Sequence, residues 1–175
     1  LTEKPIRLTA TSYALMALLD QLGEATPYDI KGAIEKSIEN FWPVPHTTAY
    51  DEPARLASAG YLSVRQESGG RRRKIYALTE KGREALTEWA SEPVASPPQF
   101  RDEAVLKVFA GADPGPLLQA REAWHREKLD ELRGYLEEVR GAESWRPSER
   151  TLLTGVAFHT RMLEMLEALR RGDGS

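Results

Sequence analysis

Arg71, Arg72, Arg73 and Lys74 stand in four consecutive positions directly behind Ser68-Gly69-Gly70. Four cations following a glycine turn suit the oxygens of a phosphate backbone, because each phosphate they neutralise releases condensed counterions. A second polar group, His46, Thr47, Thr48 and Tyr50 with Arg55 beyond it, follows the rigid run Phe41-Trp42-Pro43-Val44-Pro45. Hydroxyl, imidazole and guanidinium groups on one short helix can reach base edges in a groove, and the N–H groups at its start favour phosphate. A third pattern is apolar: Leu129, Leu132, Leu136 and Val139 step by three, four and three, the spacing of a heptad seam.

Other chemistries find no support. His46, His125 and His159 are scattered along the chain without HxxxH or HExxH spacing, so no metal site is expected. Nucleophile elbow and phosphate-cradling glycine loop are both missing, and the pairs Glu137-Glu138 and Asp102-Glu103 read as solvated helix faces, so neither catalysis nor a cofactor is expected. Without cysteine there is no disulfide framework and no thiolate ligand. No stretch approaches the roughly 20 apolar residues of a membrane span, and a cytoplasmic protein is expected. Net charge is −3. Residues 1–92 hold twelve cations against thirteen anions and residues 93–175 twelve against fourteen, so neither half is basic as a whole. The local run at residues 71–74 therefore matters more than the total.

These groups need elements to position them. Tyr13, Leu15, Met16, Leu18, Leu19 and Leu22 give a helical stripe that Gly23 ends. Thr26-Pro27 reads as an N-cap with proline at the first helical position, opening a helix through Ile38. A third helix is expected from His46 or Thr47 to Ala59, closed by Gly60. Tyr61, Leu62 and Val64, then a glycine turn, then Lys74-Ile75-Tyr76-Ala77-Leu78, read as a hairpin, and Thr79 caps a fourth helix carrying Leu86 and Trp89. Residues 92–98 contain three prolines and read as a linker. Beyond it the pattern is helical: residues 101–109, then 117–140 after a Gly/Pro loop at 110–116, then a last helix opened by Ser148-Glu149 and carrying Leu163 and Leu166.

Three helices and a hairpin make the winged helix-turn-helix order, in which the third helix enters the major groove and the wing lies against the backbone or the minor groove. The expected class is therefore mostly α: an α+β winged helix-turn-helix domain at residues 1–92, a linker at 93–99, and an all-α dimerisation domain at 100–175. Phe41-Trp42-Pro43-Val44 with His46, Tyr50, Arg55-Leu56 and Ala59-Gly60-Tyr61-Leu62 resembles the PadR family of transcriptional regulators. So do residues 70–79 with Lys81-Gly82, and Phe100-Arg101-Asp102-Glu103 to Phe109 resembles the start of the larger C-terminal domain in the longer branch of that family. The resemblance implies a homodimeric repressor that binds a palindromic double-stranded DNA operator and is released by a small-molecule effector.

The expected DNA contacts are then His46, Thr47, Thr48, Tyr50 and Arg55 on the recognition helix and Arg71, Arg72, Arg73 and Lys74 on the wing. Dimer contacts are expected at Leu129, Leu132, Leu136, Val139, Leu163 and Leu166. Each has a plainer reading: cations guard strand edges, the threonines cap, Tyr50 belongs half to a core, and the seam packs within one chain. Pro53 departs from the family, which usually has leucine three residues after the tyrosine. Inside a helix it removes a hydrogen bond, at a cost of about 3 kcal/mol, and predicts a kink or a late start. Together with Asp51 and Glu52, Pro53 favours an alternative, a winged-helix protein-interaction module without DNA binding. Trp89, Trp124 and Trp145 either line a ligand cavity between the domains or pack in cores and interfaces.

Overall fold

A computed structural model describes residues 6–67, 72–99, 101–140 and 146–171. The turn residues 68–71, Arg71 among them, and Trp145 lie outside the described residues. The chain divides into two units, Leu1–Val94 and Ala95–Ser175.

Capping chemistry sets the first unit's helices. Helix α1 (Ala10–Leu22) starts where Thr9 and Ser12 form a reciprocal capping box, and α2 (Pro27–Lys36) starts at a second box between Thr26 and Asp29. Helix α2 stops short of Ile38, which begins a single 3₁₀ turn, Ile38–Asn40. Helix α3 (Thr48–Ser58) closes on Gly60 at φ +79°, with Gly60 N–H donating to the Ala57 carbonyl and Tyr61 N–H to that of Leu56. That is the paired bonding of a glycine-terminated helix end. Strands β2 (Leu62–Gln66) and β3 (Lys74–Leu78) pair antiparallel, with Ser63 opposite Ala77. Thr79 caps α4 (Glu80–Ser91).

A third strand escaped the pattern. Residues Glu24–Ala25 form β1, which pairs with β3 and gives the sheet order β1-β3-β2. Two residues cannot show a period of two, so only the partner strand reveals them. Leu15, Met16, Leu19, Ile30, Leu56 and Tyr76 fill the core between the helices and this sheet. Trp89 stacks on Tyr13 at 4.6 Å between ring centroids, which places it in this unit's packing.

Helix α3 begins later than expected, at Thr48, and continues through Pro53. The proline ring is fully buried, so the lost backbone bond to the Ala49 carbonyl is offset by packing. Gly82 is required by close approach: a Cβ there would lie 2.3 Å from the Tyr61 carbonyl oxygen.

In the second unit, Asp102 caps the short α5 (Glu103–Phe109), which buries none of its residues. Helix α6 (Pro114–Val139) begins earlier than the Gly/Pro content suggests, because Asp113 caps it and Pro114 and Pro116 fall in its first turn, where no intrahelical donor is lost. Helix α7 (Arg146–Arg171) likewise takes Pro147 into its first turn. Leu132, Leu136 and Leu152 make the core of the α6–α7 pair, with Val139 and Val156 packed against it. The heptad seam expected to face a partner is thus occupied by the same chain: Leu129, Leu132, Leu136 and Leu166 are buried, and Leu163 and Val139 are half-buried. The same spacing serves an antiparallel helix of the same chain as well as a second copy.

Candidate nucleic-acid interface

The start of α3 presents its polar groups outward. His46, Thr47 and Tyr50 are exposed, Thr48 is partly so, and Ala49 and Pro53 on the opposite side enter the core. Thr47 is the residue before the helix but makes no side-chain cap bond, so its hydroxyl is not committed to the helix end. Asp51 is exposed on this same turn.

Arg55 does not join this group. Its guanidinium pairs with the Glu52 carboxylate at 2.5 and 2.7 Å, donates to the Ser12 hydroxyl at 2.9 Å and reaches the Arg7 carbonyl at 3.1 Å. Glu52 also accepts from the Ser12 hydroxyl, at 2.6 Å. Burial pushes the Glu52 carboxyl up, but the hydrogen bonds from Arg55 and Ser12 hold it below the ordinary carboxylate range. Arg55 thus ties α3 to α1, and the Glu52 carboxylate is paired with Arg55 and Ser12. Helical spacing alone puts residues 52 and 55 on one side of α3 but does not say that α1 brings Ser12 there.

In the wing, Arg72, Arg73 and Lys74 are all exposed. Arg72 has φ +45°, a left-handed conformation at the mouth of the turn. Arg73 forms a two-point pair with Glu67 across the hairpin, at 3.0 and 3.2 Å. Among the described residues Arg72 and Lys74 have no ion-pair partner. Arg65 of β2 reaches sideways to Glu24 of β1 at 2.5 Å, a pair that depends on the unforeseen third strand.

Helix α2 contributes groups that the sequence reading passed over. Tyr28 is 76% exposed, and Lys31, one turn on, pairs with Glu35 at 2.5 Å. Tyr28, Lys31 and Glu35 share one helical face by their spacing of three and four, a signal that was available in the sequence.

The winged-helix unit is similar to known proteins. Residues 15–88 match the Transcriptional regulator PadR-like family. That match lies within the first unit, Leu1–Val94. Such PadR-family proteins are DNA-binding regulators, not enzymes. The Negative transcriptional regulator PadR of Bacillus subtilis (strain 168) is 27% identical over 134 residues, 73% of either chain. The crystal structure of Bacillus subtilis PadR in complex with operator DNA superposes with a TM-score of 0.79 at 24% identity, over 92% of this chain and 97% of that one. The same PadR in complex with p-coumaric acid gives 0.73 at 22%, over 92% and 96%. At these identities the superpositions establish the fold, and they extend it through the helical unit that lies beyond the family match.

Among the described residues no group of three or more metal-ligating side chains comes together, and no helix is long and apolar enough to cross a membrane. Two histidines do meet: His125 and His159 are hydrogen-bonded across α6 and α7, a contact that their spacing in the sequence conceals.

Proposed function

We propose that this PadR-like protein is a cytoplasmic homodimeric repressor that grips a palindromic operator. His46, Thr47, Thr48 and Tyr50 approach base edges and adjacent phosphates, while Arg72, Arg73 and Lys74, with Arg71, hold the backbone. The observation that carries this reading is the pair of exposed groups on one winged-helix unit: the uncapped polar start of α3 and the cations Arg72, Arg73 and Lys74 leading into β3. The negative-regulator name of the Bacillus subtilis relative and the operator complex of its structure support it.

Dimerisation through the second unit is supported by apolar side chains left in solvent. Val105, Leu106 and Phe109 on α5, and Leu153, Met165 and Leu169 on α7, are all exposed in the single chain. Covering them with a second copy would remove an apolar surface that a lone soluble chain rarely leaves open. A small-molecule effector is proposed because the Bacillus subtilis PadR structure contains p-coumaric acid. The interaction-module alternative loses one of its grounds, since Glu52 is neutralised by Arg55.

The test is a fluorescence-anisotropy titration against the DNA upstream of the protein's own gene at several salt concentrations. Replacing Arg72 and Arg73 together by alanine should lower the slope of log affinity against log salt by about two. An unchanged slope, with wild-type affinity, refutes the reading.

A further inference from the structure

His125 of α6 and His159 of α7 are both buried, and the hydrogen bond between their Nδ1 atoms holds with one proton between two nitrogens. A first added proton makes a buried cation. A second sets two N–H groups against each other across 2.8 Å and breaks the bond. The surrounding charges give such a cation little relief. Arg121 and Lys128 of α6 oppose it, and Asp102, which attracts it, is already paired with Arg121 at 2.6 Å. Glu122, three residues before His125 and itself buried, is held by Arg126 at 2.6 Å and by Arg170 of α7. The pair is also connected to α5. Trp124 stands edge-on to both imidazoles, with centroids 4.8 and 5.4 Å away, and the Arg121 guanidinium lies 5.7 Å from the centre of its ring. The Asp102 oxygen that accepts from Arg121 also caps α5 through the Ala104 N–H, at 2.7 Å. Helix α5 buries none of its own residues, so this pair at its start is the polar tie that fastens it to α6.

We propose that the His125–His159 pair is a proton-operated release for assembly of the dimer. Protons taken up in mild acid part α6 from α7 at this layer and unseat Trp124, and with it Arg121. The tie to Asp102 is then lost and α5 is freed. Val105, Leu106 and Phe109, exposed on α5, no longer present one ordered apolar face to a second copy. The property regulated is operator affinity, because a dimer holds two half-sites at once and a single chain holds one.

This inference rests on dimerisation through the second unit, and the experiment separates the two. Sedimentation velocity of the full chain at about pH 7.5 and about pH 5.5 measures the dimer, and circular dichroism verifies that the helices persist at both. Assembly is read in place of DNA affinity because His46 stands on the proposed DNA face. The wild type should be dimeric at the higher pH, and its dissociation constant should rise about 10-fold or more at the lower one. That is the ratio by which a released histidine of ordinary value, about 6.5, is protonated there. His125→Leu/His159→Leu should keep the constant within about 2-fold across the same range. Should the leucine pair not fold, His125→Asn/His159→Asn keeps a hydrogen bond between the helices without a titrating group and should behave the same way. Asp102→Asn, which still caps α5 but offers Arg121 no charge, should raise the constant about 5-fold at the higher pH. A wild type equally dimeric at both values overturns the release and leaves the dimer reading standing, as does a double variant that dissociates in acid like the wild type. Acid dissociation accompanied by loss of helicity overturns it too, as general unfolding. Unchanged assembly of Asp102→Asn overturns the path through α5. A wild type that is monomeric at the higher pH overturns the release and the dimer reading together.

Discussion

His125 and His159 share a hydrogen bond of 2.8 Å between their Nδ1 atoms, each ring only 3% exposed. One ring must donate and the other accept, so at least one imidazole of the pair is neutral at Nδ1. The indole of Trp124 stands edge-on to both rings, and Phe158 is edge-on to His159. The charged neighbours are mostly unfavourable to a cation. Burial and then Arg121 lower His125, against a smaller opposing effect of Asp102. Burial, then His125 and Lys128, push His159 down to about 4.

That arrangement makes the second unit sensitive to acid. Both folded-state values lie below the unfolded histidine value of about 6.5, so folding excludes protons. The stabilising contribution is fully present above about pH 6.5 and is lost as the pH falls from there toward 4. Urea unfolding followed by helicity at pH 7.5 and at about pH 5 should show a drop in midpoint. Replacing both histidines by leucine should remove the acid-dependent part while changing neutral stability by only about 1 kcal/mol, because both polar partners leave together. A double variant that keeps the same acid sensitivity contradicts this account.

Arg55 is a stability residue. Arg55→Ala strips Glu52 of its cation and leaves the fully buried Ser12 hydroxyl with one partner fewer, so the first unit should lose about 1–3 kcal/mol. The salt slope of DNA binding should stay at its wild-type value. A slope lowered by about one would return Arg55 to the DNA face.

Gly82→Ala should be among the most damaging single-methyl changes in the chain. The added carbon would meet the Tyr61 carbonyl oxygen at 2.3 Å and Leu78 Cδ1 at 2.7 Å, and a backbone atom cannot swing aside. A loss of about 2–3 kcal/mol is expected from the forced shift of α4 against β2. Thermal unfolding measures it, and a midpoint within a degree or so of wild type would contradict the close approach.

Leu132 and Phe109 should separate intrachain packing from assembly. Leu132 is 1% exposed between α6 and α7, so Leu132→Ala should cost about 2–5 kcal/mol in the folding of one chain. Phe109 is 88% exposed and supports no core, so Phe109→Asp should leave thermal stability of the monomer intact. Sedimentation velocity should show that it shifts a dimer toward monomer. A Phe109→Asp protein that remains as dimeric as wild type removes α5 from the proposed interface.

Local chemistry accounts for what the sequence alone determined. Thr26-Pro27, Thr79 and Gly60 each act through backbone groups within a few residues, so the starts of α2 and α4, the α3 end and the wing strands were legible without a fold. The cationic wing and the polar start of α3 were legible for the same reason, since each is a run in one short segment. Contacts between distant segments were decided by tertiary structure. Leu129 to Val139 carry one apolar spacing that either a partner or α7 can satisfy, and the chain supplies α7. Ser12, 43 residues away, holds Arg55, and the two histidines meet although they stand 34 positions apart. Strand β1 exists because β3 offers it two residues of ladder. Periodicity tells which side of an element is apolar or charged, and only packing in three dimensions tells what lies against that side.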